Sequence, residues 1–386
     1  MPRPFGFFVH HQGRGHARRC EEIIRHLDDR PITILCADRD IFGDFDDRIE
    51  FVKLPNAIGD PSATDALRAQ MTPDVAQCVP LGSPALKANA ELIVDFFRRR
   101  NPGLMFNDVS VEWALLARLC SVPSVKVRMH GDRDDASHIA AYQACVGMIA
   151  PFHPDLEQAD YPDWARAKTF YSGGLCTSLQ RVPDKADARR KLNLPTDRQI
   201  VVTLSGGGGS GANYASLTMA ARALPDALWL TVGPVRREGH ETEFPNLRQC
   251  GWVENVIDYI AAADVVVASP GDNTCHEIAR VGRPFLCIPE WRYYDEQSAK
   301  GRALARLGVA HVQTTWPASN GQWKDAVNGA LAADTAALKA LHDPEAARKI
   351  AEHLIALDAR LWEAAQCSAA STSPLLRHVP RAVTHG

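Results

Sequence analysis

The stretch VHHQGRGHARR at residues 9–19 sets three histidines and two glycines between an apolar run and an amphipathic segment. Histidine exchanges protons near neutral pH, so His16, placed where the loop becomes a helix, is suited to acid–base chemistry. Gly13 and Gly15 let the backbone turn tightly and approach a ligand, and the unpaired amides of the following helix start favour a negative group. The GxGH pattern is short, and capping or packing would also account for a lone histidine. A second loop, VTLSGGGGSGANYA at 202–215, follows the same logic. Four consecutive glycines between Ser205 and Ser210 cost backbone entropy unless something must come close, and a diphosphate is the natural candidate. No GK[ST] follows, so it is not a Walker loop, and a plain strand-to-helix connection is the other reading.

These loops need a scaffold that presents strand ends. The apolar runs FGFFV, ITILC, IEFVKL, GLMFN, SVKVRM and GMIAPF alternate with helix-period segments such as 84–100 and 110–120, the pattern of a parallel sheet wrapped by helices. A polar, turn-rich stretch then precedes a second series: IVVTLSGGGG, ALWLTVG, LRQCGWV, DVVVASPG and PFLCIPE. The pattern predicts an α/β chain of two Rossmann-like parallel-sheet domains facing across a cleft. The expected bounds are 1–174, a linker at 175–198, a second domain at 199–343, a helix at 344–367 and a tail at 368–386. In open α/β sheets the ligand lies beyond the strand C-termini, so both glycine loops should border that cleft. Residues 56–85 show no period and are either disordered or a substrate-facing loop.

With 386 residues and a net charge of −3, the chain has no basic footprint for nucleic acid. Its ten cysteines are scattered without CxxC, which argues for reduced thiols in a cytoplasm rather than a disulfide scaffold or zinc site. No apolar stretch reaches about 18 residues, and peripheral contact with a membrane stays open.

The segment CGWVENVIDYIAAADVVVASPGDNTCHEIARVGRPFLCIPEWRYYDEQ brings three polar loops to strand ends in sequence. It resembles the donor-binding half of the GT-B nucleotide-sugar glycosyltransferases, especially relatives of the peptidoglycan N-acetylglucosaminyltransferase. The resemblance extends over most of the chain and is strongest at 199–310. It implies an inverting transfer from a nucleoside-diphosphate sugar, UDP- or dTDP-linked, to an acceptor hydroxyl, with His16 as base. A nucleotide-sugar hydrolase, whose GxGHxxR loop GRGHARR also resembles, a 2-epimerase and a non-catalytic nucleotide-sugar-binding protein are the alternatives.

By the same resemblance Ser205, Gly206, Gly207 and Gly208 contact the diphosphate, with Gly13 and Gly15 on the donor from the other side. Val253 holds the base through its main chain, with Trp252 nearby. PGDNTCHE looks like the family's G-x-x-T-x-x-E element, which places Gly271, Asp272, Asn273 and Thr274 by the phosphates and Glu277 on the ribose. Glu296 and Gln297 match the acidic-Gln pair that fixes donor-sugar hydroxyls. Each has a plain alternative: Thr274 as a helix cap, Glu277 as a surface charge, Glu296 as a first-turn dipole partner. Asp272 and Asn273 stand where the family often has small residues. Related transferases often carry an aspartate that orients the histidine, and Asp108, after the strand LMFN, is expected to do so here or else to cap the next helix.

His11 and the loop RMHGDRDDASHIAAY at 128–142 are expected to meet a polar acceptor, through Arg128, His130 and Asp132, or through Arg133. Adjacent aspartates do not converge on one ion without a turn built for it, so no metal is expected. The co-substrate is the nucleotide sugar, with no further cofactor. The acceptor is expected to be a small molecule or glycoside.

Overall fold

The computed structural model describes residues 2–27, 29–59, 64–206 and 211–368 of the chain, with side chains through 363. Its first sheet contains β1 (Phe5–Phe8), β2 (Ile32–Cys36), β3 (Ile49–Lys53), β4 (Leu104–Asn107), β5 (Ser124–Val127), β6 (Gly147–Ala150) and β7 (Thr169–Tyr171). All pairs are parallel, in the order β3-β2-β1-β4-β5-β6-β7. β1 and β4 are neighbours with Phe8 opposite Asn107, so the loops that follow them open side by side. This is the switch point of the sheet, where connections leave to opposite sides. The central strands are buried on both faces, which is why they read as continuous apolar runs rather than alternating ones.

The second sheet holds β8 (Ile200–Leu204), β10 (Leu228–Val232), β12 (Leu247–Gly251), β13 (Val265–Ala268), β14 (Phe285–Cys287) and β15 (His311–Val312), in the parallel order β12-β10-β8-β13-β14-β15. β9 (Ala212–Asn213) and β11 (Val235–Arg236) form a small separate ladder. The switch point recurs here: β8 and β13 pair with Leu204 opposite Ala268, so the glycine loop and the PGDNT turn emerge together. Two sheets with switch points facing each other are the predicted architecture. The short strands β7 and β15 carry too few residues to show a period and were not anticipated.

The stretch expected as a linker is partly a piece of the second lobe. Its helix Lys185–Lys191 packs on Val256–Ala262, and Arg189 bridges to Asp264 at 2.7 Å while its Nε donates to the Ala262 carbonyl at 3.0 Å. The final helix, Ala346–Ser368, lies on the first lobe, where Ile350, Leu354 and Leu357 join the core formed by Phe5, Ile23 and Ile34. Arg30 pairs with Asp358 at 2.7 Å, and the Trp362 indole donates to the Gly103 carbonyl at 3.0 Å. Each fully buried aliphatic side chain there contributes roughly 1.5–3 kcal/mol as an upper estimate. Among the described residues no helix is long and apolar enough to cross a membrane.

Candidate active site

The helix Arg14–Ile24 starts immediately after Gly13, which has φ 89° and makes no side-chain cap. His16 is therefore not a capping residue. Its Nδ1 lies 2.5 Å from Asp108 Oδ2, across the β1–β4 switch point. Asp108 does not cap the next helix either, because Ser110 Oγ accepts the Trp113 amide at 3.2 Å in that place. Arg19, one turn beyond His16, closes the other side of the carboxylate with Nη2 and Nε at 2.5 and 3.0 Å from Oδ1. Burial alone would push the Asp108 carboxyl up, but Arg19 and then His16 outweigh it and hold it well below the usual carboxylate range. Arg19 Nη2 also stands 3.2 Å from Nδ1 and Asp108 Oδ2 makes no hydrogen bond of good angle, so it is the charge of the carboxylate 2.5 Å away, rather than hydrogen-bond geometry, that favours the ring proton on Nδ1. That tautomer leaves Nε2 as a free lone pair.

Next to the loop that carries His16 is a cleft of about 880 Å³ between the lobes. The first lobe lines it with Gly13, Arg14, Gly15 and Arg18. The second lobe contributes Ser205, Gly206, Trp252 and Val253, together with Asn273, Thr274 and Glu277. Gly15 allows a close interlobe approach, since a Cβ there would stand 2.8 Å from Asn273 Nδ2. Gly207 and Gly208 lie outside the described residues. Trp252 is 71% exposed at the cleft wall. Helix Asp272–Val281 begins at Gly271 without a side-chain cap, so Thr274 is not serving as one. Glu277 is not a surface charge: it is 8% exposed, and burial raises its pKa to about 7 against the pull of Arg18 and Arg280.

Asp272 departs from the expectation of a donor contact. Its carboxylate is held by Lys300, which is 2% exposed, and by Arg19 at 3.4 Å. Burial and the nearby Arg19 and Arg128 push the Lys300 ammonium down, and contact with Asp272 opposes that shift. Without these two cations, a carboxylate at this helix start would repel a bound diphosphate. Glu296 is likewise engaged: Arg133 of the first lobe holds it at 2.9 Å. Gln297 is buried, with Oε1 accepting the Glu290 amide at 2.8 Å and its amide nitrogen turned toward Gly271.

The acceptor assignments of Arg128 and His130 are corrected by packing. Arg128 is buried, paired with Glu157 at 2.7 Å and stacked on Tyr161 with 4.0 Å from guanidinium carbon to ring centroid. His130 is buried against Phe152, with Nε2 2.9 Å from the Leu156 carbonyl. Both turn inward because the segment after β6 supplies the carboxylate and the carbonyl that satisfy them. Asp132 is exposed, and its amide donates to the Tyr294 carbonyl at 2.6 Å, joining the lobes. Gly131, at φ 111°, permits that contact, since a Cβ there would stand 2.3 Å from the same carbonyl oxygen. Tyr294 and Asp295 themselves hold left-handed φ values of 61° and 51°, a backbone cost concentrated at this junction. His11 stacks on His10 at 5.2 Å.

Arg14, Arg18, Arg19 and Lys300 are the site residues the sequence reading did not single out. For Arg19 a signal was present, as the arginine of GxGHxxR one helical turn beyond the histidine.

Two Rossmann-like lobes with opposed switch points and an interlobe cleft define the GT-B fold. The chain matches no protein-family model. It is 28% identical over 159 residues to the UDP-N-acetylglucosamine--N-acetylmuramyl-(pentapeptide) pyrophosphoryl-undecaprenol N-acetylglucosamine transferase of Acetivibrio thermocellus, covering 38% of this chain and 42% of that protein. The protein of the same name from Salinibacter ruber is 27% identical over 157 residues, with 38% and 42% covered. The matches thus take in less than half the length of these curated relatives. Among solved structures, the glycotransferase of kitacinnamycin superposes with a TM-score of 0.61 at 16% identity, over 94% of this chain and 99% of that one. MurG of Acinetobacter baumannii gives 0.60 at 14%, over 92% and 100%. A UDP-GlcNAc 2-epimerase from Neisseria meningitidis, bound to UDP-GlcNAc, shares the fold at 0.56 and 11%, over 92% and 100%. The chain is thus a GT-B protein resembling the peptidoglycan N-acetylglucosaminyltransferases.

Proposed function

We propose that the protein is an inverting glycosyltransferase that moves a sugar from a nucleoside-diphosphate sugar, UDP- or dTDP-linked, to an acceptor hydroxyl. The observation that carries this reading is the His16–Asp108 pair at 2.5 Å, set against a cleft whose far wall holds Thr274 and Glu277. His16 Nε2 takes the acceptor proton as the hydroxyl oxygen bonds to the anomeric carbon from the face opposite the diphosphate. The bond from that carbon to the diphosphate oxygen breaks, its electron pair leaves with the diphosphate, and the configuration inverts. Asp108 stabilises the imidazolium that forms, and Arg19 keeps Asp108 ionised. Amides at the start of helix Asp272–Val281 and the side chains of Arg14 and Arg18 suit the developing negative charge. Incubation with UDP-, dTDP- and GDP-sugars, with and without candidate acceptors, tests the reading: acceptor-dependent release of nucleoside diphosphate is expected. Rapid release without acceptor would replace transfer by hydrolysis, and a donor isomer would replace it by epimerisation.

The donor side makes a separate prediction. Ribose hydroxyls donate to a carboxylate, so the protonated form of Glu277 competes with nucleotide. With its pKa raised to about 7, UDP affinity should rise as pH rises through that value, by about tenfold across the transition, with proton release on binding. Glu277→Gln should flatten the profile, and Glu277→Ala should cost about 1.5–3 kcal/mol per lost charge-assisted bond. Calorimetry in buffers of different ionisation enthalpy reads both, and a pH-independent affinity in the wild type would remove Glu277 from the ribose.

A further inference from the structure

We propose that a cavity in the first lobe, separate from the donor cleft, is the acceptor site, and that it takes a compact, uncharged, apolar molecule bearing a reactive hydroxyl. The proposal rests on the glycosyltransferase reading and deepens it by naming the acceptor's chemistry. The cavity, about 260 Å³, lies at the C-terminal end of β1 and is walled by Phe8, Leu54, Ile58, Leu86 and Trp113. That volume is just under the roughly 300–1,000 Å³ of sites that enclose drug-sized ligands, which favours a compact occupant.

Its position ties it to the chemistry. His10 and His11 form part of the wall, and the His10 ring stands 5.8 Å from that of His16, edge to face. An occupant can therefore rest in the cavity with its hydroxyl beside the dyad. The Gln12 amide donates to His10 Nδ1 at 3.2 Å, which places the proton of the neutral ring on Nε2 as a donor for the occupant's oxygen. Burial, with His16 and His11 nearby, pushes His10 down to about 4, so it adds no charge at neutral pH.

The wall also says what is excluded. Among the described residues no lysine or arginine lines it, and the nearby Lys126 is spent behind the wall, donating to the Ser110 carbonyl at 3.1 Å. Its one carboxylate, Glu112, is engaged by the amides of Gln77 and Cys78 at 2.8 and 2.9 Å and by the Ser110 hydroxyl at 3.0 Å. An anionic acceptor would be desolvated here without a cation, an expensive arrangement. One polar group waits unmatched: Asn89 is 6% exposed, its Nδ2 donates to the Pro55 carbonyl at 3.1 Å, and its Oδ1 has no partner among the described residues. An unpaired buried acceptor calls for a ligand donor or a water, and an occupant with a second hydroxyl or an N–H would supply it. The acceptor thus belongs beside His10 and Asn89, with the 128–142 loop behind the wall, where His138 meets the wall residue Gln77 at 2.9 Å.

The test uses the full chain and 2-naphthol as the probe, with 2-naphthyl phosphate and undecaprenyl phosphate vesicles as comparison ligands. Tryptophan quenching and calorimetry should show 2-naphthol binding about tenfold or more tighter than its phosphate, with no measurable binding to the vesicles. Ala57→Phe, which fills the cavity, should weaken 2-naphthol by about tenfold or more while UDP affinity stays within about twofold. Ile58→Trp, at a half-exposed wall position, gives the same readout should Ala57→Phe fail to fold. Naphthol binding indifferent to both substitutions, or preference for either phosphate ligand, would overturn the proposal. In either case intact UDP binding would leave the glycosyltransferase reading standing, whereas absent UDP binding would strike that reading first.

Discussion

Replacing His16 by alanine is expected to lower turnover by roughly 10²–10⁴, the usual worth of a positioned acid–base group, while nucleotide affinity stays within about twofold. The split follows from geometry. His16 lies on the first lobe with Nδ1 against Asp108, and Glu277 and Val253, proposed for the ribose and the base, line the cleft from the second. Asp108→Asn should reproduce most of the loss with the imidazole still present, because an amide no longer stabilises the imidazolium and is free to hold the wrong tautomer. Steady-state kinetics with parallel UDP titration reads both quantities. Near wild-type turnover of His16→Ala on the true acceptor would reduce the opening loop to scaffolding.

Arg19→Met should destabilise the fold by about 3–5 kcal/mol, since removing one partner of a buried pair leaves the other charge uncompensated. Asp108 is fully buried, and Arg19 is the principal force holding it ionised. The pH dependence gives a sharper test. In the wild type the carboxyl is depressed, so its stabilising contribution is present above the unfolded pKa of about 3.9 and is lost as pH falls toward the folded value. In the variant, burial is opposed by His16 alone and the carboxyl rises, so protonation now favours the folded state. The stability gap between the two proteins should therefore narrow as pH drops from about 7 to about 4. Urea unfolding at a series of pH values measures this, and a gap below about 1 kcal/mol at neutral pH would show that Arg19 does not carry Asp108.

The sheets and the glycine loops were legible because each central strand is apolar on both faces and each ends in residues that no packed core needs. The pairing of His16 with Asp108 was a weaker inference: the strands preceding them lie far apart in sequence, and only the order β1-β4 makes them neighbours. Lys300 was not legible at all. Four residues after Glu296 on one helix, it reads as an exposed intrahelical pair, yet it turns inward to Asp272, which leaves Glu296 to Arg133. Arg128 and His130 show the converse. Their position at a strand end is that of ligand-contacting residues, but Glu157 and the Leu156 carbonyl, from a segment with no period of its own, satisfy them internally. Sequence pattern places backbones at an edge; whether a polar side chain there faces solvent depends on partners supplied by the rest of the fold.

The return of helix Ala346–Ser368 to the first lobe has a consequence for biosynthesis. As the nascent chain leaves the ribosome, the first sheet is complete after residue 171, yet one of its faces still lacks Ile350, Leu354 and Leu357. That apolar surface waits through synthesis of the entire second lobe, which carries its own core and can condense by itself in the interval. The lobe that emerges first is thus the last to be sealed, and chaperone engagement during translation should concentrate on it.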